Sequence, residues 1–356
     1  MKIKKVLGTL VLTLSIISLG ACGGVQSNTE KDSSKVYELN LNVSAAPTSP
    51  FNENVAKPWA EYVEKETDGA VKVNIFPSAA LGSLTTSLDD IEAGVYEAGL
   101  VPPGLHVDTE LFPLTIADTP FLVNSPEIAQ KVLTKFVDKY MKDVFKDGTF
   151  MGISSTDSYQ IYSTTPIKSV KDFKNHKISD SVSGRIELFK ELGAVPVSLA
   201  NTELYESLER SVVDSVSYTA VGANGYKLEE VAPYMTKVDL AVSTLPFLIN
   251  TNFLDSLPSD IKQKFIDVFG PKYADLMTEL YTSSSEEAIK TFESHIKDKG
   301  GEVYVPSADE MKEFKAPVKK QMKAWVTEAD KRGYDGQEMM DYFVELLEAE
   351  GVKIPK

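Results

Sequence analysis

Cysteine and histidine are scarce in this chain of 356 residues, and their scarcity excludes several kinds of site. The single cysteine, Cys22, rules out a disulfide framework and a metal site built from several thiolates. The histidines are too widely spaced along the sequence to predict a shared metal site, and they are His106, His176 and His295. We therefore expect neither a disulfide nor a bound metal in the fold.

The chain also has fewer basic residues than acidic ones, 37 against 52. The formal net charge is −15, and it becomes −18 without residues 1–21, which contain three lysines and no acidic residue. Such an acidic chain is poorly suited to binding nucleic acid or an anionic membrane surface. Arginine is the residue type best suited to bidentate binding of a carboxylate, and the chain has only Arg185, Arg210 and Arg332.

The sequence patterns of the common enzyme classes are missing as well. There is no Gly-x-Ser-x-Gly, no His-Glu-x-x-His, no phosphate-binding loop and no glycine fingerprint of a dinucleotide cofactor. The acidic neighbours Asp89-Asp90 and Glu286-Glu287 lie on predicted helix surfaces, where carboxylates are usually solvated. We therefore predict a protein that is not an enzyme and needs no cofactor; a surface hydrolase is the remote alternative.

The N-terminal residues have the pattern of a bacterial lipoprotein signal peptide. A basic start, Met1–Lys5, precedes the apolar stretch Val6–Leu19, which is short for a bilayer span. Leu19-Gly20-Ala21-Cys22 then resembles a lipobox, whose cysteine is lipidated and becomes the mature N-terminus. We predict a signal peptide at 1–21 and a flexible tether at 22–35, with the body outside the cytoplasm on a bacterial membrane. The alternative is an anchor helix with a chance cysteine.

The stretch Asp172–Val197 has the pattern of a strand, a small-residue turn, a helix and a second strand. We place the strands at His176–Ile178 and Ala194–Leu199, with the intervening helix ending at Gly193. The first N–H groups of a helix lack intrahelical partners, so this turn could hold a small polar ligand. An ordinary crossover with a solvated turn fits the pattern equally well.

The same α/β unit occurs twice, as VKVNIFPSAALGSLTTSLDDIEAGVYEAGLV and as AVPVSLANTELYESLERSVVDSVSYT. Two comparable units and a long helical region after Pro258 predict two lobes with a cleft between them. We expect breaks in that helical region at Gly270-Pro271 and near Ser283, which could form a capping box with Glu286. Ser307 and Glu310 form a clearer capping box.

Candidate ligand-binding residues lie in the loops at the strand ends. Arg185 is placed in the first turn of a helix and could bind a carboxylate, although a solvent-facing arginine is an equal alternative. Tyr159 and Tyr218 end strands and could form pocket walls, or could simply cover the core. The weaker candidates are the hydroxyl residues Thr48, Ser83, Ser179 and Thr219 and the loop residue His106.

Several sequence pieces, in this order, resemble the substrate-binding receptors of TRAP (tripartite ATP-independent periplasmic) transporters. They are Val71–Pro77 with Leu81-Gly82, Asp118–Leu122, Val170–Lys174 leading to Lys177-Ile178, Leu188–Val197, Glu203–Tyr205 with Val212–Asp214, and Leu248–Asn250 with Leu257-Pro258. The resemblance covers Val36 to about Lys272. No single piece would be specific, but together they form a strong signal.

The resemblance implies a two-lobed, type II periplasmic-binding-protein-like α/β fold, with lobes joined by crossing strands and a long helix. We expect one lobe at 36–157 plus 245–284, the other at 158–244 plus 285–336, and a C-terminal helix at 337–356. Such receptors close on a small solute and deliver it to membrane permease subunits that are driven by an ion gradient.

The resemblance further implies an organic acid as ligand, held by an arginine directly after the Lys-Ile pair. This chain has Ser179 there, and it has Tyr159 and Tyr218 at two other polar positions of the family. Arg185, six residues further on, is the candidate substitute; otherwise the ligand is neutral or aromatic and stacks on the tyrosines. A ligand-sensing lipoprotein that signals to a membrane kinase is the alternative from another functional class.

Overall fold

The computed structural model describes residues 35–142 and 144–355, so the predictions for Cys22 and the signal peptide lie outside the described part. The strands are β1 (Tyr37–Asn42), β2 (Val71–Phe76), β3 (Ala98–Leu100), β4 (Gly148–Ser155), β5 (Tyr159–Ser163), β6 (Lys177–Ser179), β7 (Val195–Val197), β8 (Ser215–Thr219), β9 (Tyr234–Thr236), β10 (Thr244–Asn250) and β11 (Glu302–Tyr304). The α-helices are α1 (Lys57–Glu66), α2 (Ser87–Glu92), α3 (Pro126–Tyr140), α4 (Ser183–Glu191), α5 (Leu204–Glu209), α6 (Ala220–Gly225), α7 (Thr251–Ser256), α8 (Ser259–Lys264), α9 (Gly270–Ile296), α10 (Ala308–Lys315), α11 (Val318–Lys331) and α12 (Gly336–Ala349).

The first sheet has the strand order β2-β1-β3-β10-β4. Strands β1, β2 and β3 run parallel, whereas β10 is antiparallel to both of its neighbours. Every residue of β10 is buried, because helices cover both faces of the sheet at this strand. On one face the Phe247 ring stacks on Tyr273 of α9 at 3.9 Å and meets the Trp59 ring of α1 edge-on.

The second sheet has the order β11-β9-β5-β8-β6-β7. Its centre is antiparallel, since β5 pairs with β8 and β9, and its two edges are parallel pairs. The predicted stop after α4 is confirmed, because Gly193 has a φ of 92°, a conformation in which a side chain would be strained. The Ser307–Glu310 capping box is also present, at the start of α10.

Two chain segments cross between the sheets. The first follows β4 and leads into β5, and the second precedes β10 and brings the chain back to the first sheet. They are hydrogen-bonded to each other, because the Thr156 N–H donates to the Ser243 carbonyl at 2.9 Å and the Ser243 N–H donates to the Thr156 hydroxyl at 3.0 Å. The segments therefore form one paired connection.

Helix α9 is a third connection. It is 27 residues long, and it buries Tyr273 and Met277 in the core of the first sheet and Phe292 and Ile296 in that of the second. The predicted break near Ser283 is wrong, because the Ser283 hydroxyl donates to the Glu279 carbonyl one turn earlier and caps no new helix. Packing against two cores keeps this polar serine-rich stretch helical.

The predicted break at Gly270-Pro271 is wrong as well. A π-helical turn, Phe265–Phe269, runs directly into α9, so the chain stays helical through both residues. Proline is tolerated there because it lies in the first turn of α9. Glycine is needed at 270 because any β-carbon would collide with the Met151 carbonyl oxygen of β4.

The C-terminal helices close the core, with α12 packing on α3 and α11 packing on α4 and on the 3₁₀ helix Phe112–Asp118. Trp325 of α11 stacks on Phe112 with ring centroids 5.6 Å apart, and Phe343 of α12 packs edge-on against Phe136 of α3. Across residues 35–142 and 144–355, no helix combines the length and apolar character that a bilayer span requires.

Candidate functional site

A cavity of about 680 Å³ is lined by residues of both sheets. The first sheet contributes loop residues that follow its parallel strands, including Ser49 after β1, Ser78 after β2 and Leu105 after β3. The second sheet contributes Ser179 at the end of β6, residues 180–182 directly after it, and residues 217–219 at the end of β8. The cavity thus lies at the carboxyl ends of parallel strands, where open α/β sheets commonly bind ligands.

Four of the predicted site residues lie in the cavity wall: Tyr159, Ser179, Tyr218 and Thr219. Two of the other candidates, Thr48 and Ser83, are exposed and are not among the residues that line the cavity. His106 is buried outside the wall, where its Nε2 lies 2.8 Å from the Leu84 carbonyl oxygen and 3.1 Å from the Ser87 hydroxyl. Arg185, the eighth candidate, lies behind the wall.

The Arg185 side chain is only 1% exposed, and its partners hold it in place. Its Nε donates to Asp180 Oδ2 at 2.8 Å, and its guanidinium carbon lies 3.9 Å from the centroid of the Tyr159 ring. Burial, the largest single influence, lowers the pKa of Arg185, but its interactions with the neighbouring acidic groups, Asp180 foremost, together exceed it and raise the pKa. Nη1 has no hydrogen-bond partner within the described residues.

The start of α4, predicted to be a polar cradle, already holds an anion of the protein itself. Asp180 Oδ1 accepts the Val182 N–H at 2.8 Å while its other oxygen accepts from Arg185. One carboxylate therefore satisfies a free N–H at the helix start and neutralises the buried guanidinium. Asp180 also lines the cavity.

Asp118 is a second acidic residue in the wall, and the sequence reasoning did not select it. It ends a 3₁₀ helix, Phe112–Asp118, is 3% exposed, and has no hydrogen-bond partner for Oδ1 among the described residues. Burial raises its pKa to about 7, while the Arg185 charge and a backbone hydrogen bond from Thr244 oppose the rise and the Asp180 charge adds to it. The sequence feature that could have identified Asp118 is its position as the single acidic residue of the mostly apolar stretch FPLTIADTPF.

Four tyrosines contribute to the wall: Tyr159, Tyr218, Tyr226 and Tyr281. The Tyr159 and Tyr218 rings meet edge to face at 6.1 Å, and Tyr218 and Tyr226 do the same at 5.8 Å. Burial raises the pKa of Tyr159 and of Tyr218, so both phenols stay neutral and can donate a hydrogen bond. Apolar rings with polar edges suit a small planar solute.

The hydroxyl groups of the wall add directional contacts. Thr219 caps α6 by accepting the Gly222 N–H at 3.0 Å, whereas the buried Ser217 hydroxyl has no hydrogen-bond partner in the described part of the chain. The lining residues in that part include Asp118 and Asp180 but no lysine, arginine or histidine. Within the described ranges, no cluster of three or more potential metal ligands occurs.

The chain is similar to known solute-binding proteins over most of its length. The family model "Bacterial extracellular solute-binding protein, family 7" matches residues 41–328. The C4-dicarboxylate-binding periplasmic protein DctP of Rhodobacter capsulatus is 27% identical over 226 residues, which are 61% of this chain and 66% of that protein.

Two solved structures of TRAP solute-binding proteins share the fold. One, from Rhodoferax ferrireducens with copurified benzoate, has a TM-score of 0.80 at 20% identity and covers 89% of this chain and 99% of its own. Another, from a marine metagenome with 3-hydroxybenzoate, has a TM-score of 0.79 at 25% identity, with 89% and 99% covered. These similarities confirm the predicted two-lobed α/β fold and the predicted resemblance to TRAP receptors.

Proposed function

Because the chain belongs to family 7 of the bacterial extracellular solute-binding proteins, we propose that it captures one small organic solute outside the cytoplasm and delivers it to a TRAP-type membrane permease. The observation that carries this proposal is the cavity of about 680 Å³ lined from both sheets. This volume is within the usual range for small-molecule sites, and hinge closure of two lobes is the usual way to enclose such a ligand.

The solute is an organic acid, with an aromatic acid favoured. The ring edges of Tyr159, Tyr218 and Tyr226 support this choice, since stacked and edge-on contacts select planar ligands. The ligands of the two solved relatives, benzoate and 3-hydroxybenzoate, are aromatic acids and favour the same choice. The Ser179 and Thr219 hydroxyls line the cavity and are further candidate hydrogen-bond partners of the solute.

Arg185 supports the wall and does not grip the solute directly. Its guanidinium is held by Asp180 and covered by the Tyr159 ring, and it is not among the cavity-lining residues. The Arg185 Nε is bonded to Asp180, and separating the pair would leave a buried carboxylate unpaired at a high cost, so the two side chains stay together when a solute binds. The positive charge of Arg185 still acts on the cavity from behind the Tyr159 ring.

The receptor is tethered to the membrane through lipidated Cys22. The basic start, the short apolar stretch and the lipobox-like Leu19–Cys22 support this, and the tether at 22–35 would let the body reach a permease. We propose lobes at 36–157 plus 245–284 and at 158–244 plus 285–336, with a C-terminal helix at 337–356, and the division of the strands into two sheets supports this proposal.

A thermal-shift screen tests the proposed function. The panel contains benzoate, 3-hydroxybenzoate, mandelate, orotate, succinate and the neutral controls benzyl alcohol and glycerol. A ligand that binds only the folded state at 100 times its Kd adds about 2.7 kcal/mol to the free energy of unfolding, so the melting temperature should rise with an aromatic acid. No shift with any acid would contradict the proposal.

A further inference from the structure

Asp118 belongs to the cavity wall, and one oxygen of its carboxyl group has no hydrogen-bond partner within the described residues. That oxygen, Oδ1, is buried. Ser217 Oγ, on β8 of the second sheet, is also buried, unpartnered and part of the wall. A buried polar group without a partner is costly, so we take the side chains of Asp118 and Ser217, both in the cavity wall, as those with hydrogen-bonding capacity left for a polar group of a ligand.

We propose that Asp118 binds the solute in its neutral acid form, so that an acidic solute and one proton enter the cavity together. This inference rests on the proposed function and names how that site recognises its acid. The protonated carboxyl group of Asp118 donates a hydrogen bond to the solute carboxylate. The proton is taken from solvent when the solute binds and returns to solvent when the solute is released. Ser217 is the second donor.

The charges around Asp118 support this role. Two acidic residues, Asp118 and Asp180, line the cavity, and the guanidinium that acts on Asp118, that of Arg185, is already bonded to Asp180. An ionised solute beside an ionised Asp118 would bring like charges together at low dielectric. One proton shared between the two carboxyl groups removes that repulsion, as in other carboxylate pairs.

The neutral form of Asp118 is accessible at ordinary pH. Burial raises its pKa to about 7, and the groups that act on it are Arg185 on α4, Asp180 after β6 and the Thr244 N–H at the start of β10. Tyr159 on β5 belongs to the same cluster, and its phenol stays neutral. A bound carboxylate raises the pKa of Asp118 further, so binding takes up a proton.

The test is calorimetric titration of the chain with benzoate between about pH 6 and pH 8.5, in buffers of different ionisation enthalpy. Benzoate is ionised throughout this range. We expect the Kd to rise about tenfold for each pH unit above 7, and up to one proton to be taken up on binding. Proton uptake by the wild-type protein is measured directly, so the test does not depend on the folding of any variant.

Two matched variants locate the proton. Asp118→Asn keeps a donor of similar shape, so it should bind benzoate with a flat pH profile and without proton uptake. Asp157→Asn is the control, because Asp157 is another buried carboxyl whose pKa burial raises to about 7, but it lines a separate small cavity. Asp157→Asn should retain both the wild-type pH dependence of the Kd for benzoate and the proton uptake on binding.

Three results would overturn the inference. If the Kd for benzoate depends on pH equally in wild type and in Asp118→Asn, the proton is taken up by a group other than Asp118. Tighter binding of benzylamine with rising pH, lost in Asp118→Asn, would show that an ionised Asp118 binds a cation. If no acid of the screening panel binds at any pH, the acid class itself is wrong, and that failure is distinct from the other two.

Discussion

Arg185 and Asp180 form a fully enclosed ion pair beside the cavity, with Arg185 Nε 2.8 Å from Asp180 Oδ2 and each side chain about 1% exposed. Asp180 also accepts the Val182 N–H at the start of α4. The pair therefore fixes the turn after β6 and supports the Tyr159 ring, which lies over the guanidinium. We infer that the pair shapes the cavity wall.

Arg185→Met should destabilise the protein strongly, because it leaves Asp180 buried without its cation. We expect the free energy of unfolding to fall by about 3–5 kcal/mol, measured by urea denaturation. Adding Asp180→Asn should recover part of the loss, with a coupling of about 0.5–3 kcal/mol. Arg210→Met is the control, since Arg210 is 71% exposed and should cost under about 1 kcal/mol. Unchanged stability with lost benzoate binding would instead make Arg185 a direct clamp.

The buried carboxyl of Asp118 should make stability depend on pH. Its pKa is raised from an ordinary value near 3.8 to about 7, so the folded state binds the proton more tightly than the unfolded chain. Its contribution is complete below about pH 3.8 and is lost as the pH rises to about 7. At about 1.4 kcal/mol per pKa unit, wild type should lose up to about 4 kcal/mol relative to Asp118→Asn over this range. Parallel stability curves would contradict the raised pKa.

Tyr218 should contribute to affinity through its ring. Tyr218→Ala removes one edge-to-face partner of Tyr159 and part of the cavity wall, so the Kd for benzoate should rise roughly three- to tenfold, which corresponds to about 0.5–1.5 kcal/mol. Tyr218→Phe keeps the ring and should change the Kd less than about twofold, as should the control Tyr205→Phe, which alters a tyrosine outside the cavity. Larger losses for Tyr218→Phe would assign the phenol a hydrogen bond to the solute.

The regular patterns of the sequence predict a helix or strand well where that element packs in a single hydrophobic core. Alternating apolar residues place β1 and β2, and the glycine at 193 ends the helix that follows β6. Helix α9 was harder, because Ser283 and its neighbours resemble a helix break in local sequence. Its continuity depends on two separate cores that hold its ends, and no short window of sequence contains that information.

The candidate site was harder to predict than the fold, because its chemistry depends on which charged side chains lie next to each other in space. Tyr159 and Tyr218 could be selected because they end strands, and both lie in the wall. The sequence places Arg185 in the first turn of a helix, but only the structure shows that Asp180 neutralises it. Asp118 lies 67 positions from Arg185 in the numbering, and a sequence cannot show that the two side chains interact.

Cys22 should carry the lipid that holds the receptor at the membrane. In bacteria grown with a labelled fatty acid, the wild-type chain should take up label and partition into the detergent phase, because buried acyl chains contribute about 0.8 kcal/mol per CH₂. Cys22→Ser should take up no label. A form containing only residues 36–356 is the control and should stay in the aqueous phase while binding benzoate with wild-type affinity. Label on Cys22→Ser would contradict the lipobox assignment.

Gly270 should be essential for the contact between α9 and the first sheet. A β-carbon at this position would collide with the Met151 carbonyl oxygen of β4, and β4 cannot move away without disturbing its pairing with β10. Gly270→Ala should therefore lower the free energy of unfolding by about 1–3 kcal/mol, despite the better helix propensity of alanine. Gly225→Ala is the matched control, because a β-carbon there meets no atom within 4 Å and φ is not positive, so stability should be unchanged or slightly higher. If the two variants are equally stable, the close approach of α9 to β4 does not contribute to the stability of the fold.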